Sequence, residues 1–258
     1  MIFNQDILAC AGLVERGDPV RFRAVMSTPV DIRAKLFPIF AFNLEVARAP
    51  WVTKEAMIAE MRLQWWQDAL EEITLGKAVR RHEVVSPLSQ LITPDAARDL
   101  QSVIEARRWD IYPDPFVDED AFKKYIQQTS STLLKVAAQA LGPADTQTVE
   151  KFGFCVGLAN FLIAAPQLMA VGRSPLIDQT PEFLRGLALK GLADLKETRR
   201  VRHKVSSKAG KALLGGWQAE RVLRNAAKRP ENIVIGIKAP SGFWDSSALS
   251  LRAMTGWW

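Results

Sequence analysis

Asp68 stands three and four residues before Glu71 and Glu72. At that spacing two carboxylates share a helix face and can hold a divalent cation through oxygen ligands. The same face carries Glu60, Gln64 and Gln67, so a solvated charge pattern accounts for it equally well. Glu45 has only Ala41, Phe42, Arg48 and Ala49 at three or four residues' distance, and it pairs more readily with Arg48. Asp110 and Asp114, in WDIYPD, suit a cap or a turn. Cys10 and Cys155 lack CxxC spacing, and His82 and His203 are the only histidines, which excludes a zinc site. Two such thiols suit a reducing compartment.

The elements that must position these side chains are helical. TKEAMIAEMRLQWWQDALEEITLG opens with a capping-type residue, Thr53, and stops at Gly76. Its periodicity sets Ile58, Met61, Trp65, Trp66, Ala69 and Ile73 on one face. Arg62 falls among them and needs an acid such as Glu72 as partner. Further helices are expected over 30–49, 93–112, 119–142, 148–172, 180–202 and 208–229, with Pro and Gly punctuating the gaps. Period-two alternation appears briefly at NIVIGIKAP. With 258 residues, 48% hydrophobic and 24% charged, the chain can bury a large core and is not disordered. One all-α domain of about eight helices is the economical architecture.

From Phe152 to Gly172 no side chain is charged. These 21 residues suffice to span about 30 Å of hydrocarbon. Gly153, Gly157, Asn160, Pro166, Gln167 and Gly172 lower the hydropathy of the run, which favours a buried core helix that Pro166 kinks or ends. Gly153 and Gly157 at a four-residue spacing serve a close helix contact in lipid or in a soluble core.

The net charge is +6, and the segment 185–229 holds thirteen cations against three acids. The remainder is slightly acidic. No helix-turn-helix, RNP or zinc-finger signature accompanies this excess, so nucleic acid is not the expected partner. Two readings of the basic stretch stay open. Arg199, Arg200, Arg202, Lys204, Lys208 and Lys211 can dock against anionic head groups with Leu213, Leu214 and Trp217 dipping into the interface, or they are ordinary outer-helix cations. The N-terminus has no basic n-region and meets Asp6 early, so a cytoplasmic location is expected.

Six stretches, in order from about residue 20 to 176, together resemble the squalene/phytoene synthase family. They are RAKLFPIFAFNLEVARAP, MIAEMRLQWWQDALEEI, RRHEVVSPLSQLI, EARRWDIYPDPF, YIQQTSSTLLKVAAQALG and FGFCVGLANFLIAAPQLMAVGRSPL. The resemblance implies a single large helical domain over 1–258, of the isoprenoid synthase type, with a central cavity. It also implies two D-x-x-x-D motifs that hold Mg²⁺ for diphosphate departure. In register with Phe40-Ala41-Phe42, the first acid pair falls on Ala47 and Trp51. In register with Gly153, Asn160 and Gly172-Arg173, the second falls on Ala164 and Leu168, and the preceding arginine position on Ile163. All four carboxylates are missing. Losing one preorganised electrostatic group costs an enzyme on the order of 10²- to 10³-fold, and losing a whole metal cage removes ionisation.

The wording AFNLEVA and MRLQWW is similar to the complex I assembly factor branch of this family, which implies a non-catalytic assembly or binding factor for respiratory complex I at the inner membrane. By that reading no cofactor is needed, and the residues left to line the cavity against an isoprenoid or other lipid are Asn43, Gln64, Trp65, Asn160, Phe161 and Arg173. The alternative is a Mg²⁺-dependent prenyltransferase using shifted acids, Glu45, Asp68 and Asp110.

Overall fold

The computed structural model describes residues 4–237 and 243–258, the side chains of 243–246 excepted. Its helices are α1 (Gln5–Gly17), α2 (Pro19–Met26), α3 (Val30–Arg48), α4 (Ala56–Thr74), α5 (Val85–Ser89), α6 (Pro94–Arg107), α7 (Glu119–Ile126), α8 (Thr132–Gln139), α9 (Thr146–Ala170), α10 (Pro181–Arg200), α11 (Ser207–Leu213), α12 (Ala219–Lys228), α13 (Asn232–Ile235) and α14 (Phe243–Thr255). Two 3₁₀ turns, Ala49–Trp51 and Arg108–Ile111, follow α3 and α6, and a π-helical turn, Gln127–Ser131, joins α7 to α8. Side-chain caps open many of them. Asn4 accepts from the Ile7 amide at 3.0 Å, Asp18 from Arg21 at 2.9 Å, Thr93 from Ala96 at 3.2 Å and Asp145 from Thr148 at 2.9 Å.

Two helices form the centre. α3 buries residues around most of its circumference, from Ile32 through Phe37, Phe40 and Phe42 to Val46, as a helix apolar on all sides must. α9 does the same from Val149 to Ala165. It is the one helix among the described residues long and apolar enough to cross a membrane, and 56% of its most hydropathic window is buried within the protein. It packs against the π-turn, α8, α10 and α12. Gly153 and Gly157 make the first of these contacts possible. A Cβ on Gly153 would stand 2.6 Å from Ser131 Cα, and one on Gly157 2.5 Å from Ser130 Cβ.

Several expectations need correction. Pro166 does not end α9, because it forfeits only one amide donor near a terminus. The helix stops at Gly172, where φ is +81°, the Gly172 amide bonds Met169 O at 3.0 Å and the Arg173 amide bonds Leu168 O at 3.1 Å. The buried stripe of α4 is Ala59, Leu63, Trp66, Ala69, Leu70 and Ile73, while Ile58 and Met61 are exposed. The small Ala59 and Leu63, not the methionines, meet the neighbouring elements. Arg62 is consequently exposed, and Glu72 pairs instead with Arg80 at 2.6 Å. NIVIGIKAP forms the short α13 up to Ile235 and no strand there; 238–240 lie outside the described residues. The sole bridge among the described residues is Ala144 with Val205, so a lone strand would find no ladder for its amides. α1, α2, α5 and α14 have no counterpart among the expected helices.

Candidate functional site

A cavity of about 630 Å³ opens between α3 and α9. Asn43, Ala47 and Trp51 line it from α3 and its 3₁₀ turn, at steps of four residues down one helix face. Gly157, Asn160, Phe161, Ala164 and Leu168 line it from α9 at the matching three- and four-residue steps. Arg21, Arg107, Asp110, Tyr125, Thr129 and Ser130 also line it. Part of it is therefore π-helical, a geometry that recurs where helices serve a site. Behind Tyr125 and Phe161 stands an aromatic block, in which Trp109 stacks on Phe116 at 4.0 Å and Phe122 meets Phe161 edge-on at 5.1 Å.

The polar part of the wall is a closed cluster. Arg107 donates from Nη1 to Asp110 Oδ2 at 3.0 Å and to the Tyr125 hydroxyl at 2.7 Å. That hydroxyl in turn donates to the Asp110 carboxylate, its oxygen lying 2.9 Å from Oδ1 and 3.1 Å from Oδ2. Burial acts to lower the affinity of Arg107 for its proton, but Tyr125 and Asp110 outweigh it and hold the guanidinium charged. Burial pushes the Tyr125 phenol well above its ordinary value, against the pull of Arg107. Asn43 Oδ1 and Arg107 Nε are buried without a partner. Arg21 lies over the Phe40 ring at 4.9 Å and 3.4 Å from Asp18. A second cleft, of about 540 Å³, lies on another side of α9 and is crossed by ion pairs, among them Lys151 with Asp194 at 3.1 Å and Lys123 with Glu119 at 3.0 Å.

The squalene/phytoene synthase family matches residues 14–230. The chain belongs to the squalene/phytoene synthase family. NADH dehydrogenase (ubiquinone) complex I assembly factor 6 of Homo sapiens is 24% identical over 172 residues, 61% of this chain and 48% of its own length. The Drosophila melanogaster homolog is 27% identical over 188 residues, 69% of this chain and 56% of its own. The chain thus spans about half the length of these curated relatives and is their distant homologue. A dehydrosqualene synthase crystallised with ligand shares the fold, with a TM-score of 0.80 at 13% identity over 97% of this chain and 96% of that one. The squalene synthase HpnC from Alicyclobacillus acidocaldarius does so with a TM-score of 0.70 at 14% identity, over 88% and 94%.

Within this squalene/phytoene synthase-like fold, Ala47, Trp51, Ala164 and Leu168 all line the cavity. The residues present do not fit a magnesium cluster. Asp110 is the one carboxylate on the wall among the described residues, both its oxygens are engaged, and the amides of Asn43, Asn160 and Gln167 bring no charge to offset a divalent ion. Nor do three or more His, Cys, Asp or Glu side chains converge elsewhere among the described residues. Glu45 lines a separate pocket of about 310 Å³, 3.9 Å from Arg48, and Asp68 accepts from Gln64 at 2.7 Å on α4. The three fallback acids therefore do not meet. Asp110 is buried in the cluster described above, which corrects its reading as a turn or cap residue.

Of the six expected cavity residues, Asn43, Asn160 and Phe161 lie on the wall. Gln64 does not: it bridges Asp68 and Arg108 on the surface. Trp65 lines the smaller pocket with Glu45 and His82, because α4 turns it away from α9. Arg173 sits at the mouth, 4.8 Å over the Trp51 ring, and donates to the carbonyls of Asp110 and Tyr112. Arg21, Arg107, Tyr125, Thr129 and Ser130 were not singled out in the sequence. Arg107 and Asp110 stand three apart within EARRWDIYPDPF, but their partner Tyr125 arrives from another helix.

The basic stretch also differs from expectation. Leu213, Leu214 and Trp217 are buried in the core and cannot dip into lipid. Arg199 is paired with Glu220 and donates to Trp258 O at 2.8 Å, and Lys211 donates to Ala253 O. Arg200, Lys204 and Lys208 are exposed, and so is Arg202, which covers Trp257 at 4.2 Å.

Proposed function

We propose that this protein is a non-catalytic member of its family, a lipid-cavity protein that serves as an assembly or binding factor for respiratory complex I at the cytoplasmic face of the inner membrane. One observation carries the reading. The two central helices face each other across an open cavity with Ala47, Trp51, Ala164 and Leu168 at the positions that the family resemblance gives to metal-binding acids. A diphosphate carries several negative charges, and its departure needs them neutralised. This wall offers Arg21 and an Arg107 already neutralised by Asp110. The distant homology to assembly factor 6 supports the complex I part.

Incubated with farnesyl or geranylgeranyl diphosphate and Mg²⁺, the purified protein releases no pyrophosphate above background. A strain lacking the gene shows reduced NADH:quinone oxidoreductase activity and accumulates incomplete complex I. Pyrophosphate release would favour a prenyltransferase using shifted carboxylates, and normal complex I in the deletion strain would remove the assembly role.

A further inference from the structure

The cavity opens through a patch of exposed apolar side chains. Trp51 and Val171 belong both to its wall and to the surface, Val52 adjoins Trp51, and Met57 and Met61 stand 74% and 65% exposed, one helical turn apart on α4. Tyr112 joins the two sides. Arg173 covers Trp51 and donates to the Tyr112 carbonyl, and the Tyr112 hydroxyl bonds Glu60 Oε1 at 3.3 Å, beside Met57 and Met61 on α4. Tyr112 thus ties the Trp51 side to α4, and these exposed apolar side chains are grouped, whereas on soluble surfaces they are ordinarily scattered singly.

Its composition fits a lipid surface. Trp51 and Tyr112 each present an apolar ring with a polar handle, the kind of side chain that settles at head-group depth. The methionines are unbranched and adapt to a fluid neighbour. Lys54 and Arg62 are exposed on the same stretch without an ion-pair partner among the described residues, and the Arg48 side chain is 60% exposed. Glu55 and Asp114, the latter two residues beyond Tyr112, are the exposed acids beside them, against Arg48, Lys54, Arg62 and the Arg173 that covers Trp51. The excess is cationic and suits anionic head groups.

We infer that this rim docks on an anionic bilayer, so that the cavity opens at the membrane interface and draws its lipid from there. The inference rests on the membrane-peripheral part of the reading above and names the surface responsible, which is not the basic α10–α11 stretch. Co-sedimentation with phosphatidylglycerol-containing vesicles, against pure phosphatidylcholine, tests it. Wild-type protein pellets with the anionic vesicles. Met57→Glu/Met61→Glu, at two exposed positions that leave the core untouched, weakens binding about tenfold or more with its far-UV circular dichroism and Tm retained. Lys204→Glu/Lys208→Glu weakens it less than about twofold, since those cations lie away from the rim.

Wild-type protein that ignores anionic vesicles, an α4 variant that binds as wild type does, or a Lys204/Lys208 variant that loses binding equally would each overturn the assignment. Self-association abolished by the α4 variant in place of vesicle binding would give the face to a second copy and overturn it too. Pyrophosphate release by the wild type, by contrast, would remove the non-catalytic reading and leave this surface standing.

Discussion

Arg107, Asp110 and Tyr125 form a buried polar cluster bonded through one guanidinium nitrogen, the carboxylate and the phenol, while Arg107 Nε stays without a partner. Asp110→Ala strands a buried guanidinium and is expected to cost about 3 kcal/mol or more in chemical denaturation. Replacing Arg107 and Asp110 together by Met and Leu costs less than the sum of the single changes, and a double-mutant cycle measures the coupling. The two thiols give a separate test. Burial, foremost, pushes Cys10 and Cys155 from 9.0 up to about 12. The folded chain therefore holds these protons more tightly than the unfolded chain. Their contribution to stability is intact below about pH 9 and is lost as the pH rises toward 12, at up to about 1.4 kcal/mol per pH unit per thiol. Denaturation across this range should show a shallower alkaline decline for Cys10→Ala/Cys155→Ala than for wild type. At this scale it was the register implied by the family resemblance that put Ala47, Trp51, Ala164 and Leu168 at the acid positions. The Arg107–Asp110–Tyr125 cluster was not legible, because its third member comes from another helix.

At the scale of elements, the π-turn Gln127–Ser131 and the α9 glycines are one device. The Ser130 and Ser131 hydroxyls donate to the carbonyls of Gly153 and Glu150 at 2.8 Å each, and the missing Cβ atoms let the backbones close. In an exposed helix Gly→Ala stabilises by about 1 kcal/mol. Here the sign reverses: Gly157→Ala meets Ser130 Cβ and Ile126 Cγ2, and thermal denaturation should show a loss of about 1–3 kcal/mol. Ala at Gly186, where a Cβ meets nothing within 4 Å, serves as the control. The glycine spacing was visible in the sequence, but its purpose was not, since the same spacing serves lipid-embedded and soluble contacts alike. The α4 face shows a related limit. Periodicity placed the helix correctly, yet Met57, Ile58 and Met61 are apolar and exposed. Periodicity locates an apolar stripe and does not say which part of it finds a partner.

For the whole molecule, the α3–α9 cavity, its polar cluster and its apolar mouth define a protein whose function is tested by three readouts: pyrophosphate release, complex I assembly and vesicle binding. The all-α class and the helices over α3, α4, α6, α9 and α10 were legible in one dimension, as were the residue types at 47, 51, 164 and 168, none of them a carboxylate. Helical periodicity, caps and missing side-chain types are local properties that need no partner to be read. Convergence is not local. Only the tertiary structure decided that Ala47, Trp51, Ala164 and Leu168 share one cavity, that Glu45 and Asp68 lie outside it, and that Trp217 is core while Trp51 is rim. Residues on separate helices meet only after those helices have buried their apolar faces against one another, and that packing fixes which side chains face the cavity, the core or solvent.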